Sequence, residues 1–476
     1  MIQRDEVLSI LDRDRTELVN LSDEIWELAE VGLQEHRSAR AQEEFLRARG
    51  FEIESGVAEM PTAFVATRGS GKPVIAFLGE FDALPGTSQR KKPSPEPLKE
   101  GAPGHACGHN LLGVGALGAA VALAEALENA GVAGEVRYYG CPAEETLVGK
   151  VFMVKAGLFE DVDAAITWHP ASVNAVRMDS TSAMNSFKVT FFGVSSHAAG
   201  APELGRSALD AAELMNVGAN YLREHVIEQA RIHYVITDGG GEPNVVPPEA
   251  EVWYYVRAPE RDEVEEIYQR ILRIAEGATL MTDTSHEVRF LSGCYNKLLN
   301  RPMAELVQKN LEFIGGPKFS EEDHLFAEEM LRHLPPGQRN KAVRSMEGRY
   351  DAELDDVILH EEVLPMSQPR GRTGGGSTDV ADVSWVVPTI EFSAASSVLG
   401  AAGHSWQVTA CSGNNIGHSG MMVAAKVMAL TGLDLIGNPA SLEEAWADFR
   451  ERTKDNPYKS PIPEGVMPPL DQLPQH

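Results

Sequence analysis

The stretch GEVRYYGCPAEE, residues 134–145, decides how this chain is read: its alternation predicts a strand that delivers two adjacent acids, Glu144 and Glu145, at its C-terminal end. A second run, AAITWHP at 164–170, delivers His169 in the same way. Strands whose C-terminal ends carry chemistry-bearing residues are the mark of an α/β sheet, where ligands bind at that edge. Working outward, the spacing predicts helix from Asp5 to Arg49, ending at Gly50. Short strands follow at AFVATRG and PVIAFLGEFDALPG, then a buried helix in the Ala/Gly-rich run LLGVGALGAAVALA at 111–124.

The segment from Ala183 to Tyr295 changes character. Strand FKVTFFGVS, a helix from Ser207 to about His225, strands RIHYVIT and EVWYYVR, helix DEVEEIYQRILRIAEGA and strand HEVRFLS make one inserted βαββαβ unit. The expected organisation is therefore two domains, residues 1–182 with 296–476 and an inserted lid at 183–295. This suits 476 residues of 43% apolar content, more than one hydrophobic core usually holds. Residues 315–376, dense in Glu, Arg, Pro and Gly, read as an insertion or mobile excursion rather than core. VPTIEFS returns as a strand, a glycine-rich turn carries His404, a helix runs from about Ser419 to Leu430, and the Pro-rich tail from Asn456 reads as a surface strap.

Composition narrows the function. A net charge of −28 argues against nucleic acid or an anionic membrane as partner. No uninterrupted apolar run is long enough to span a bilayer, and the N-terminus MIQRDEVLSILDRDR has neither a signal core nor a transit pattern, so a cytoplasmic protein is expected. Four scattered cysteines, Cys107, Cys141, Cys294 and Cys411, do not make a disulfide framework.

The chemistry concentrates in GHACGHN, with Cys107 and His109, in Glu144–Glu145 and in His169. Thiolate, imidazole and carboxylate hold Zn²⁺ or Mn²⁺, ions that make water a usable nucleophile near neutral pH. Of two adjacent acids, one can ligate while the other moves protons. Cys107-x-His109 alone reads equally as a buried thiol beside a hydrogen-bonded histidine, and Cys107 attacking with His109 as base is the rival enzyme class. That rival leaves the paired glutamates unexplained. GRTGGGST at 371–378 lacks the lysine of a phosphate loop and reads as a flexible link to Asp379. His105 is assigned a turn hydrogen bond, and His418 competes with His404 as a downstream ligand.

The ordered motifs GEFDALPG, GHACGHN, CPAEE, TWHP, SSHAA, PNVVP and GHSWQ resemble the M20 metallopeptidases, in the amidohydrolase branch with the auxin-conjugate hydrolases and aminoacylases. HNLLG, GRSALDA, GSTDVADVSW and IGHSGM are most similar to the aroyl-glutamate hydrolases of that branch. The resemblance implies an α/β catalytic domain with a mixed sheet and a ferredoxin-like lid that dimerises. It also implies two divalent ions per subunit, Mn²⁺ or Zn²⁺, held by Cys107, His109, Glu145, His169 and His404. Glu144 would be the general base, and Asp82 would orient the ligands from behind. His197 would polarise the scissile carbonyl, in the partner subunit's site on one reading, with Asn244 a weaker candidate for that task. The implied reaction is hydrolysis of an N-acyl or N-aroyl amino acid, with p-aminobenzoyl-glutamate the first substrate to try and other N-acyl amino acids or small dipeptides behind it. Arg206 and Lys150 are the cations expected to meet a substrate carboxylate. A homodimer is expected, with a heteromer beside a related subunit, catalytic or not, as the alternative.

Overall fold

A computed structural model describes residues 2–367 and 373–471. Among these residues eleven strands form two sheets. The first contains β1 (Glu52–Ser55), β2 (Phe64–Ser70), β3 (Val74–Glu80), β4 (Gly134–Cys141), β5 (Ala164–Ala171), β6 (Ala175–Val176) and β11 (Thr389–Ala395), in the order β1-β2-β4-β3-β5-β11-β6. Its centre, β4-β3-β5-β11, is parallel and its edges are antiparallel, which is the mixed α/β architecture expected. Parallel strands need both faces covered. Along β3 the alternation is visible: Ile75 and Phe77 enter one apolar cluster, while Val74, Ala76 and Leu78 enter another on the opposite face.

The first cluster is built on the helices Arg4–Leu28, His109–Ala130 and Asn415–Gly437. The last two are long and apolar enough by composition to cross a membrane, yet 94% and 83% of their apolar windows are buried inside the protein. They are core helices, and their small residues permit close approach: a Cβ on Gly115 would lie 2.8 Å from the Trp168 indole nitrogen.

The second sheet holds β7 (Ala183–Phe192), β8 (Arg231–Asp238), β9 (Glu249–Ala258) and β10 (Ser285–Cys294), ordered β10-β7-β9-β8 and antiparallel throughout. Helices Ala208–Leu222 and Arg261–Thr282 cover one face, burying Met215, Ile267 and Ile271 against Phe187, Val189 and Val252. β8 is left as an edge strand with mostly exposed residues.

Three local expectations are corrected. The N-terminal helix is two helices, Arg4–Leu28 and His36–Arg47, because Ala29 turns left-handed (φ 43°) and the chain between them is used elsewhere. Glu30 O accepts from Ala83 N–H at 2.8 Å, and the Glu35 carboxylate accepts from Ala143 N–H at 2.9 Å, beside the two glutamates. Residues 315–367 are not an excursion. They contain helix Glu321–Leu331, started by a Ser320/Asp323 capping box, and helix Gln338–Tyr350. Ala327 and Met330 pack with Val398 and Ile416, while Val343 and Tyr350 pack with Val173 and Ala175. The helix Gln338–Tyr350 buries only two of its residues, too sparse a stripe for periodicity to reveal. The third correction, the turn after β4, belongs to the site below. The first two residues of GRTGGGST lie outside the described residues. From 457 to 471 the tail runs without helix or strand, anchored by buried Ile462 and by the Tyr458 hydroxyl donating to Asp382 at 2.9 Å.

Candidate metal centre

Strand ends β3, β4 and β5 bring their cargo to one edge of the first sheet. The glutamates do not ride on β4 itself: the strand stops at Cys141 and Glu144–Thr146 form a 3-10 turn. Ala143 and Leu147 on either side are left-handed (φ 54° and 58°), a strain that neighbouring contacts must hold in place. Glu35 clamps Ala143, and Asp82 Oδ2 accepts from Glu145 N–H at 3.0 Å. Successive side chains on a turn of three residues diverge by about 120°, so the two carboxylates still face different ways.

Cys107 and His169 converge because Gly108 sits left-handed (φ 76°) against Pro170, where a Cβ would approach to 3.0 Å. Cys107 Sγ lies 3.4 Å from His169 Nε2. Directly after Gly108 a helix begins with His109, whose Nδ1 is 2.8 Å from Asp82 Oδ1. This turns Nε2 toward Glu80 (3.3 Å), Glu144 (3.8 Å) and Glu145 (4.0 Å). His404 Nε2 closes the far side at 3.4 Å from Glu145 Oε2.

Three donor groups result, each with ligand atoms within 4.8 Å of one another: Cys107, His109 and His169; Cys107, Glu145 and His404; and Glu80, His109 and Glu144. Cys107 belongs to the first two, and His109 to the first and third. His109 Nε2, Glu80 Oε2 and Glu145 Oε1 are buried without a hydrogen-bond partner. Buried polar atoms left in that state cost free energy unless something binds them, and N, S and O donors converging in this way fit divalent cations. Asp82 sets the orientation of the His109 ring from behind, the arrangement that suits a histidine whose other nitrogen is to hold a metal.

The charges agree with this. Burial pushes the Cys107 thiol up, but His109 and His169 overcome it and hold the thiol well below its usual range. Burial lowers His169, and Cys107 more than restores it, to about 9. Glu144 is driven well up by burial and by Glu80, Asp379 and Glu145, while Glu145 rises to about 8 through burial and the Cys107 thiolate. Such crowding of like charge awaits a compensating cation.

Cys107, Glu145, His169, His404 and Glu144 line one cavity of about 460 Å³, and buried His109 stands behind it in the donor group with Cys107 and His169. His105 instead bonds Ile25 O at 3.0 Å, and His418 pairs with Asp23 at 3.2 Å, outside the donor groups. Glu80 was missed, although its place two residues before Asp82 at the end of β3 was the available signal. Lys150 is corrected: fully buried, its Nζ lies 2.8 Å from Glu80 and 2.5 Å from Asp379, so it meets protein carboxylates rather than a substrate. Arg206 stands apart from the donor groups. It pairs with Asp283 at 2.8 Å in the second sheet's layer and does not line the cavity. His197 and Asn244 lie there too, exposed and joined through the His197–Val245 bridge, away from the cavity of their own chain.

The chain is 40% identical over 467 residues, 96% of its length and 97% of the relative's, to one of the subunits of the p-aminobenzoyl-glutamate hydrolase of Escherichia coli. The chain belongs to the M20 peptidase family. Residues 180–280 match the peptidase dimerisation domain, and the mouse Xaa-Arg dipeptidase is 29% identical with 92% of this chain and 90% of the relative covered. Among solved structures, an aminobenzoyl-glutamate utilization protein from Klebsiella pneumoniae superimposes with a TM-score of 0.59 at 19% identity, covering 91% of this chain and 98% of that one. A dinuclear metal-binding M20 peptidase from Bacillus subtilis does so at 0.55 and 18%, covering 90% and 99%. This M20 chain is a metal-dependent hydrolase of the amidohydrolase and peptidase kind.

Proposed function

We propose that the chain hydrolyses the amide bond of N-aroyl and N-acyl amino acids, with p-aminobenzoyl-glutamate, split to p-aminobenzoate and glutamate, as its substrate. The observation that carries this reading is the membership of Cys107 in two donor groups with Glu144 beside them, in neither. Cys107, His109 and His169 would hold one ion, and Cys107, Glu145 and His404 the other, Mn²⁺ or Zn²⁺. Bound there, a pair of divalent ions supplies Lewis acidity to a carbonyl and makes water nucleophilic near neutral pH.

The protein's own part is proton management. Glu144 takes the proton from the attacking water and keeps it until the amine leaves, the part of a general base that becomes a general acid. The nitrogen of the leaving amino acid then receives it as the C–N bond breaks. Asp82 keeps the His109 ring and the Glu145 backbone fixed throughout. Substrate enters as a small organic anion. His197, with Asn244 beside it, would serve the partner subunit's cavity, since neither lines its own, and this calls for a dimer built on the second sheet and its helices. A heteromer with a related chain is the second reading. The Escherichia coli relative is one of two differently named subunits of its hydrolase, and the other is itself 29% identical to this chain over 243 residues. A reducing cytoplasm suits four free cysteines.

The test is the purified chain, loaded with Mn²⁺ or Zn²⁺ and offered a panel of N-aroyl and N-acyl amino acids alongside Xaa-Arg dipeptides. Release of p-aminobenzoate at the highest kcat/KM in the panel supports the reading. Turnover of dipeptides with none of the aroyl amino acids would overturn it.

A further inference from the structure

An anionic substrate meets an unfavourable field here. The protein carries −28, and Glu80, Glu144, Glu145 and Glu391 all face the cavity. Among the described residues lining it, the permanently charged cations are Arg177, Arg257 and Arg349. Arg257 enters from β9 of the second sheet, whereas the other two belong to the far wall of the first.

The sheet register fixes where that wall stands. His169 on β5 pairs with Ser393 on β11, and Ser393 pairs with Ala175 on β6. Residues two apart share a face, so Thr167 and His169, Glu391 and Ser393, and Arg177 just beyond β6 all turn to the cavity, which they line. Two strand spacings put this wall roughly 10 Å from the His169 backbone. Arg349 comes from helix Gln338–Tyr350, seated against β6 through Val343 and Tyr350 packed with Val173 and Ala175.

Arg177 and Arg349 share a single counter-charge. Their Nε atoms lie 3.6 and 3.5 Å from the same oxygen of buried Asp179, and both are buried without a hydrogen-bond partner. Two guanidiniums on Asp179, with the neighbouring Glu391 itself paired to Lys297 Nζ at 3.1 Å, leave a net positive charge on this wall of the cavity. Arg177 is also held against the backbone of the segment after the helix: a Cβ on Gly374 would lie 2.5 Å from its Nη2, and Gly374 N–H donates to Ser180 O at 2.7 Å.

We propose that Arg177 and Arg349, set on Asp179, form the subsite that receives the side-chain carboxylate of an acidic amino acid in the substrate, so that the chain selects N-acylated dicarboxylic amino acids. This rests on the hydrolase reading above. The α-carboxylate stays two bonds from the leaving nitrogen and therefore near the metal donors. A side-chain carboxylate reaches further, toward the wall two strands away. Guanidiniums suit it because they can grip a carboxylate with paired hydrogen bonds, which a lysine cannot do.

The experiment compares p-aminobenzoyl-glutamate with p-aminobenzoyl-glutamine, isosteric but uncharged at that end, in the metal-loaded enzyme. The wild type should prefer the glutamate compound, and R349Q and R177Q should each cut that preference about 10- to 100-fold, the scale for a charge-assisted hydrogen bond, with metal content unchanged. R349K, which keeps charge without the fork, should fall between. Calorimetric binding of both ligands in an E144Q background reads the same preference without turnover. Loss of binding preference in R349Q with no hydrolysis in any variant would sink the hydrolase reading and keep the subsite. An equal fall on both ligands, with the preference intact, would overturn the subsite and leave the hydrolase standing.

Discussion

Replacing Lys150 by Met removes a positive charge from a fully buried cluster and leaves its volume nearly unchanged. The ammonium lies 2.8 Å from Glu80 and 2.5 Å from Asp379, and the Lys150 backbone N–H also donates to Asp379 at 2.8 Å. At an effective dielectric near 20 each contact is worth about 6 kcal/mol of Coulomb energy. Desolvating three ions consumes most of that sum, so the net value of the cluster is small, but deleting one partner strands the others and costs about 3–5 kcal/mol. The sign of the pH dependence follows from Asp379. Burial raises it to about 6 even though Lys150 pulls it down, and without Lys150 it must rise further. A carboxyl with a folded pKa above its unfolded value of about 4 binds its proton more tightly when folded. Stability is then greatest below the unfolded value and falls as pH rises through the folded one. The deficit of the variant against wild type should therefore be modest near pH 5 and grow as pH rises through about 6, the folded pKa of Asp379 in the wild type. Urea denaturation of both proteins in chelator, followed through the transition that unfolds the seven-stranded sheet, measures it. A deficit below about 1 kcal/mol at pH 8, or one that does not change with pH, would refute the account of Lys150 as the counter-ion of Glu80 and Asp379.

The two glutamates should separate: Glu144→Gln keeps its metal while turnover falls about 10²–10⁴-fold, and Glu145→Gln loses metal and recovers activity partly at high metal concentration. Metal stoichiometry beside kcat decides this, and the opposite pattern reverses their roles. Chelation should abolish hydrolysis, added Mn²⁺ or Zn²⁺ should restore it, and Cys107→Ser should lose most of its metal; full activity after chelation, with Cys107 reacting stoichiometrically with a substrate-like electrophile, would favour a nucleophilic cysteine instead. Gly115→Ala should destabilise by about 1–3 kcal/mol through overpacking. Its Cβ would press on Trp168, whose indole N–H donates to Leu112 O at 3.1 Å, and tryptophan fluorescence with a denaturation curve reads the displacement. Sedimentation showing a fully active monomer at micromolar concentration would remove the dimer and with it any role of His197 in a partner's site.

Local pattern settled what depends on neighbours in the chain. The alternation in GEVRYYGCPAEE and AAITWHP specified strands, and with them the sheet edge that carries the chemistry; residue type marked Cys107, His109, the Glu144–Glu145 pair and His169 as donor candidates, because soft and borderline ligands are chemically distinctive wherever they stand, while the choice of Glu145 and His404 came from the family resemblance. Charge pairing is different. Lys150 and Arg206 looked alike as free cations in the sequence, and only the fold shows that Glu80 and Asp379 enclose one while Asp283 holds the other. Glu80 became part of the site through the path of β3, not through any feature of its own type. The break at Ala29 was invisible to helical periodicity, since its cause lies at Ala83 and Ala143, more than fifty residues away. Arg177 and Arg349 are 172 positions apart and share one aspartate because two valines, an alanine and a tyrosine seat a helix against an edge strand. Hydrophobic periodicity is a property of the chain, but the partner of a buried charge is chosen by packing, and that choice exists only once the chain has folded.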